Sequence, residues 1–175
     1  MAASTQRAHP IAKSCSQPAT TILLVEDDPT IAHMYRFRLE HDGHRVHLAM
    51  TGGAGLMLAR QSSADLVLLD IGLPAMDGLE VLATLRADRR TSSLPVVILS
   101  NYDDPGLIQR GLQLGAIDYL IKSQITPAGV SGGIARWMAA RAACSTRIAV
   151  EYKSATALPG SECALPSTTR TPAAC

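Results

Sequence analysis

Four short apolar runs, each closed by a polar residue, constrain this chain more than any other feature. Ile22-Leu23-Leu24-Val25 runs into Glu26 and Asp27, and Leu66-Val67-Leu68-Leu69 into Asp70. Val96-Val97-Ile98-Leu99 runs into Ser100, and Tyr119-Leu120-Ile121 into Lys122. Unbroken apolar runs of this length predict strands buried on both faces, as in a parallel sheet. Arg45 to Met50 alternates instead, with Val46, Leu48 and Met50 on one side, which predicts an edge strand.

Helical spacing fills the gaps. Ile31, Tyr35 and Leu39 recur at one-turn intervals after Pro29, and Gly43 stops that helix. A second helix is expected over 53–61. Leu79, Leu82 and Leu85 make a third stripe, and Ile108 with Leu112 a fourth, ending at Gly115. Thr126-Pro127 opens a fifth, with Val130, Ile134, Trp137 and Met138 on its apolar face. Asp103-Asp104-Pro105 reads as a helix start and Asp77-Gly78 as turn chemistry. Five strands alternating with five helices predict an α/β fold: a doubly wound parallel sheet with right-handed crossovers. With 47% hydrophobic but only 3% aromatic residues, aliphatic side chains must fill the core. Met34, Met50, Met57 and Met138 are expected to serve as core or core-edge filler rather than as ligands.

The polar residues that close the runs lie at the carboxyl ends of strands. In an open parallel sheet those ends share one rim, where ligands bind. That rim would gather Glu26, Asp27, Asp70, Ser100 and Lys122. Three neighbouring carboxylates repel one another and titrate upward unless a cation joins them. A small all-oxygen donor set suits Mg²⁺ rather than zinc. With a lysine ammonium and a hydroxyl nearby, such a site fits phosphoryl transfer with a carboxylate as nucleophile. The net charge of +1 predicts no general attraction to nucleic acid or to an anionic membrane. His41, His44 and His47 are not expected to form a metal site, because His44 and His47 point to opposite faces of their strand.

Taken together, four segments resemble the signatures of bacterial response-regulator receiver domains. They are Ile22-Leu-Leu-Val-Glu-Asp-Asp-Pro29, Leu68-Leu-Asp-Ile-Gly-Leu-Pro-Ala-Met-Asp-Gly78, Pro95-Val-Val-Ile-Leu-Ser100 and Gly115-Ala-Ile-Asp-Tyr-Leu-Ile-Lys122. The resemblance implies a flavodoxin-like, CheY-like (βα)5 fold with strand order 2-1-3-4-5. It implies Asp70 as phosphoacceptor, and Mg²⁺ held by Glu26, Asp27, Asp70 and the backbone carbonyl of Gly72. It further implies Lys122 as the partner of the phosphoryl group, Ser100 as the hydroxyl that senses it, and Tyr119 as the aromatic switch. The donor would be a sensor histidine kinase or histidine phosphotransfer protein of a two-component system. The output would be changed contact with another, unidentified protein, without nucleic-acid or membrane binding, and apart from slow loss of its own phosphoryl group the chain would not be an enzyme.

Three positions depart from the family pattern. Ser123 follows Lys122 where proline is usual, Asn101 is bulkier than the common alanine, and Tyr102 places a large ring where it can shield the site from water. Two other functions fit these residues less well. A Mg²⁺-dependent phosphohydrolase would carry a general acid two residues after Asp70, where Gly72 stands. A flavodoxin-like ligand-binding module would need a phosphate-cradling loop where Glu26-Asp27-Asp28 stands. The division expected is a disordered leader over 1–20, a stand-alone receiver over 21–143 and a disordered tail over 144–175. No apolar run is long enough to span a bilayer, so a cytoplasmic protein is expected, with Cys15, Cys144, Cys163 and Cys175 as free thiols.

Overall fold

The computed structural model describes residues 19–139. Within them, five strands form one parallel sheet: β1 (Thr21–Val25), β2 (Arg45–Ala49), β3 (Leu66–Asp70), β4 (Val96–Ser100) and β5 (Asp118–Ile121). The order is β2-β1-β3-β4-β5. The connecting helices are α1 (Pro29–His41), α2 (Gly52–Gln61), α3 (Gly78–Ala87) and α4 (Pro105–Gln113), with α5 over residues 127–139. This is the flavodoxin-like arrangement that the four signatures implied. Almost all of the expected leader, the whole of the expected tail and the four cysteines lie outside the described residues.

The apolar runs are continuous because the sheet has two buried faces and successive strand residues alternate between them. Leu23, Val25, Val67, Leu69, Val96 and Ile98 face α2 and α3, packing with Ala59, Leu79, Leu82 and Leu85. Ile22, Leu24, Leu66, Leu68, Val97 and Leu99 face the other way, packing with Tyr35 and Leu39 of α1 and Val130, Ile134 and Trp137 of α5. Truncating any of these fully buried leucines to alanine would cost about 2–5 kcal/mol.

Local chemistry starts the helices. Asp28 caps α1 by accepting the N–H groups of Thr30 and Ile31 at 2.7 and 3.1 Å. Asp77 and Asp104 cap α3 and α4 in the same way. Gly43, at φ +93°, takes the left-handed turn that ends α1.

Several expectations need correction. Helix α2 begins at Gly52, one residue earlier than expected, capped by Thr51. β5 is half-buried along its length, because it is an edge strand. Leu112 of α4 is 46% exposed, and the helix turns Gly111 toward the sheet instead. Met34 and Met57 are 46% and 52% exposed and fill no core, whereas Met138 does pack against it. His44 is half-buried, with Nδ1 accepting weakly from the N–H of Thr20 at 3.4 Å. No helix among the described residues is long and apolar enough to cross a membrane.

Candidate functional site

Three strands deliver the side chains of the site. β1 ends at Val25, but its pairing with β2 runs one residue further, through the N–H of Glu26 donating to the carbonyl of Ala49 at 3.0 Å. That bond turns Glu26 inward until it is 1% exposed, and leaves Asp27 half-buried. Asp70 is the last residue of β3 and is 5% exposed. Lys122 follows β5, its N–H donating to the carbonyl of Ser100 at 2.7 Å. The chain then closes a turn in which the N–H of Gln124 donates to the carbonyl of Ile121.

The Lys122 ammonium lies between two carboxylates. Nζ donates to Asp70 Oδ2 at 2.8 Å and lies 2.6 Å from Glu26 Oε2. The second contact is an ion pair poorly aligned for a hydrogen bond, so Glu26 Oε2 is buried without a hydrogen-bond donor. Glu26, Asp27 and Asp70 each place one carboxylate oxygen within 4.8 Å of the others. Asp70 Oδ1 accepts the N–H of Gly72 at 3.1 Å.

Burial is the largest influence on Glu26 and raises its pKa to about 7. The ion pair with Lys122 opposes the rise, and the charge of Asp70 adds to it. Glu26 therefore titrates upward, and loss of water drives this more than repulsion from a neighbouring carboxylate does. Burial pulls Lys122 down, yet the hydrogen bond to Asp70 and the charges of Asp70 and Glu26 outweigh it and raise the ammonium's pKa. The ammonium thus stays charged between Asp70 and Glu26.

These donors fit a hard divalent cation. All are oxygens, they converge, and one of them is a buried carboxylate oxygen lacking a hydrogen-bond donor. The surrounding loop leaves room: a Cβ added at Gly72 would sit 3.8 Å from both Asp70 carboxylate oxygens. Gly78 matters differently. A Cβ there would fall 2.1 Å from the carbonyl oxygen of Asp70, so α3 can start against the end of β3 only with glycine at that position. Asp77-Gly78 has the composition of a turn, and the close approach has no signature in the sequence.

Ser100 and Tyr119 lie beside the rim and are joined through Tyr102. Ser100 is fully buried, its Oγ accepting the N–H of Tyr102 at 3.0 Å. The Tyr119 hydroxyl donates to the carbonyl of Tyr102 at 2.9 Å. The Tyr102 ring is 53% exposed and lines an open groove of about 490 Å³ with Ile71, Gly72, Leu73, Met76 and Leu107.

The sequence model of the response regulator receiver domain matches residues 22–128. The chain belongs to the receiver domain family. This receiver is 41% identical over 101 residues to protein PilH of Pseudomonas aeruginosa, covering 58% of this chain and 84% of PilH. It is also 41% identical over 102 residues to the transcriptional regulatory protein AfsQ1 of Streptomyces coelicolor, again over 58% of this chain. It spans only 44% of AfsQ1. A CheY-like receiver domain protein from Methanospirillum hungatei superposes with a TM-score of 0.65 at 28% identity, covering 70% of this chain and 96% of that one. The receiver domain of the sensor histidine kinase PA1611 from Pseudomonas aeruginosa superposes with a TM-score of 0.63 at 30% identity, covering 69% and 98%. That structure holds a magnesium ion coordinated in its active-site cleft.

Of the seven positions expected at the receiver's site, Glu26, Asp27, Asp70 and Lys122 meet directly. Gly72 touches Asp70 through its N–H. Ser100 and Tyr119 stand one layer back, linked to each other through the backbone of Tyr102.

Proposed function

We propose that this receiver accepts a phosphoryl group on Asp70 from phosphohistidine of a sensor histidine kinase or a phosphotransfer protein. The observation that carries this reading is the placement of Asp70. It ends a central strand, it shares a tight oxygen cluster with Glu26 and Asp27, and it is paired to a buried ammonium. A carboxylate oxygen attacks phosphorus, the bond from phosphorus to the imidazole nitrogen breaks, and its electron pair stays on the imidazole. Lys122 remains charged and pairs with the added oxygens. Gly72, lacking a side chain, keeps the approach to Asp70 open.

Glu26, Asp27 and Asp70, with the backbone carbonyl of Gly72, are the groups that would hold Mg²⁺. When bound, the ion supplies positive charge to phosphoryl oxygens and relieves the excess of carboxylate charge. Ser100 and Tyr119 then read the new group, and altered contact with an unidentified partner protein follows. The receiver unit is proposed over 21–143, supported by the change of composition at either end.

The test is intact-mass spectrometry after incubation with acetyl phosphate, with and without Mg²⁺. Wild type should gain one phosphoryl mass only when Mg²⁺ is present, and Asp70→Asn should gain none. Equal gain by the variant would refute the assignment.

A further inference from the structure

Tyr119 is tied at both ends. Its hydroxyl reaches the carbonyl of Tyr102, whose own N–H donates to Ser100 Oγ. At the backbone end, the N–H of Tyr119 donates to Asp118 Oδ1 at 2.9 Å. The other oxygen of that carboxylate leaves the strand for α5. Asp118 Oδ2 accepts the indole N–H of Trp137 at 2.8 Å and a guanidinium N–H of Arg136 at 2.9 Å. Hydrogen bonds therefore lead from Ser100 at the rim, through Tyr102, Tyr119 and Asp118, to the buried side of α5.

The two contacts on Oδ2 differ in weight. The Arg136 side chain is 72% exposed, and an ion pair so open to water contributes little. Trp137 is 3% exposed and packs among Ile22, Tyr35, Val130 and Ile134. A buried indole N–H requires an acceptor, and a carboxylate makes the stronger, charge-assisted bond. The ring is also a rigid handle, because a close-packed core passes on a shift of one member instead of absorbing it.

We infer that Asp118 is a positioning residue that carries a movement of Tyr119 into α5, with the Trp137 indole as the receiving group. This rests on the reading of Asp70 as the phosphoacceptor. The link needs two arrangements of β5 that the phosphoryl group biases, and Asp118 makes the strand and the helix adopt them together.

Because the chain has one tryptophan, its indole N–H gives a single peak in a ¹H–¹⁵N spectrum. The full chain with Mg²⁺ is titrated with beryllofluoride, a phosphoryl mimic. In wild type the amides of Gly72 and Tyr119 and the Trp137 indole should all shift. In Asp118→Asn the Gly72 and Tyr119 shifts should persist while the indole shift falls at least about twofold, the ratio between charge-assisted and neutral hydrogen bonds. Trp137→Phe keeps the ring's packing without its N–H. There the shifts of the Val130 and Ile134 amides should fall while that of Tyr119 persists. An indole that stays still in wild type while Gly72 and Tyr119 move would overturn the inference, and so would an equal indole shift in Asp118→Asn. A Gly72 amide unmoved in every form would instead remove the phosphoacceptor reading, and the inference with it.

Discussion

Glu26 and Asp27 are neighbours in sequence with the same chemistry, yet the structure gives them different work. Glu26 is sealed in beside Lys122, and its raised pKa follows from that burial. Asp27 is half-buried and is the member of the pair able to meet both a cation and water. Removing the Asp27 carboxylate should therefore weaken Mg²⁺ binding by more than the roughly 10–100-fold typical of losing a supporting residue. Isothermal titration of Asp27→Ala measures this, and unchanged affinity would refute the assignment. Asp42, far from the rim, gives a test of pH dependence. The Ser131 hydroxyl and then the Arg38 guanidinium hold its pKa at about 2, below the ordinary 3.8. A depressed carboxylate adds stability above its unfolded value and loses it as pH falls toward the folded value. Thermal melts of wild type and Asp42→Asn should differ most above about pH 4 and converge toward about pH 2. A gap that widens on acidification would contradict the assignment.

The loop between β3 and α3 stores local strain beside the site. Ala75 is the one non-glycine residue with positive φ among the described residues, at 67°. That conformation costs an L-residue of the order of 1 kcal/mol, so Ala75→Gly should raise stability by up to about 1 kcal/mol in urea unfolding. A drop of similar size would contradict this. Gly78→Ala should do the reverse, since its Cβ would press on the backbone of Asp70, which cannot yield cheaply. Elements of this kind are not legible in the sequence. The five strands were legible because their apolar runs are unbroken. The phase of α4 was not, because the residue it turns to the sheet is Gly111, against Ile98 and Tyr119, and glycine carries no hydrophobic signal. The burial of β5 is hidden for a related reason: Tyr119-Leu120-Ile121 has the composition of a central strand, while the strand order that the resemblance implies puts β5 at an edge. At the site, the meeting of Glu26, Asp27, Asp70 and Lys122 followed from strand ends and the rim rule. The Tyr102 bridge runs through backbone atoms and so has no residue signature.

At the scale of the whole molecule, one sheet with two cores holds the rim fixed, while β5 and α4 lie at its less buried side. The relatives it matches include a protein not much longer than the matched region and transcriptional regulators more than twice that length. The output proposed here is a protein contact. The net charge is +1, and acidic residues outnumber basic ones between Thr21 and Ile125. Electrophoretic mobility of a DNA duplex at low salt should be unchanged by the phosphorylated protein, and a salt-sensitive shift gained on phosphorylation would contradict that expectation. The central claim is narrower, and peptide mapping reaches it most directly. After phosphorylation with Mg²⁺ present, the acyl phosphate is trapped by borohydride reduction and the peptides are sequenced by mass spectrometry. The reduced side chain should be found at Asp70 alone. Reduction at Asp27, Asp65 or Asp77, with Asp70 intact, would contradict the account.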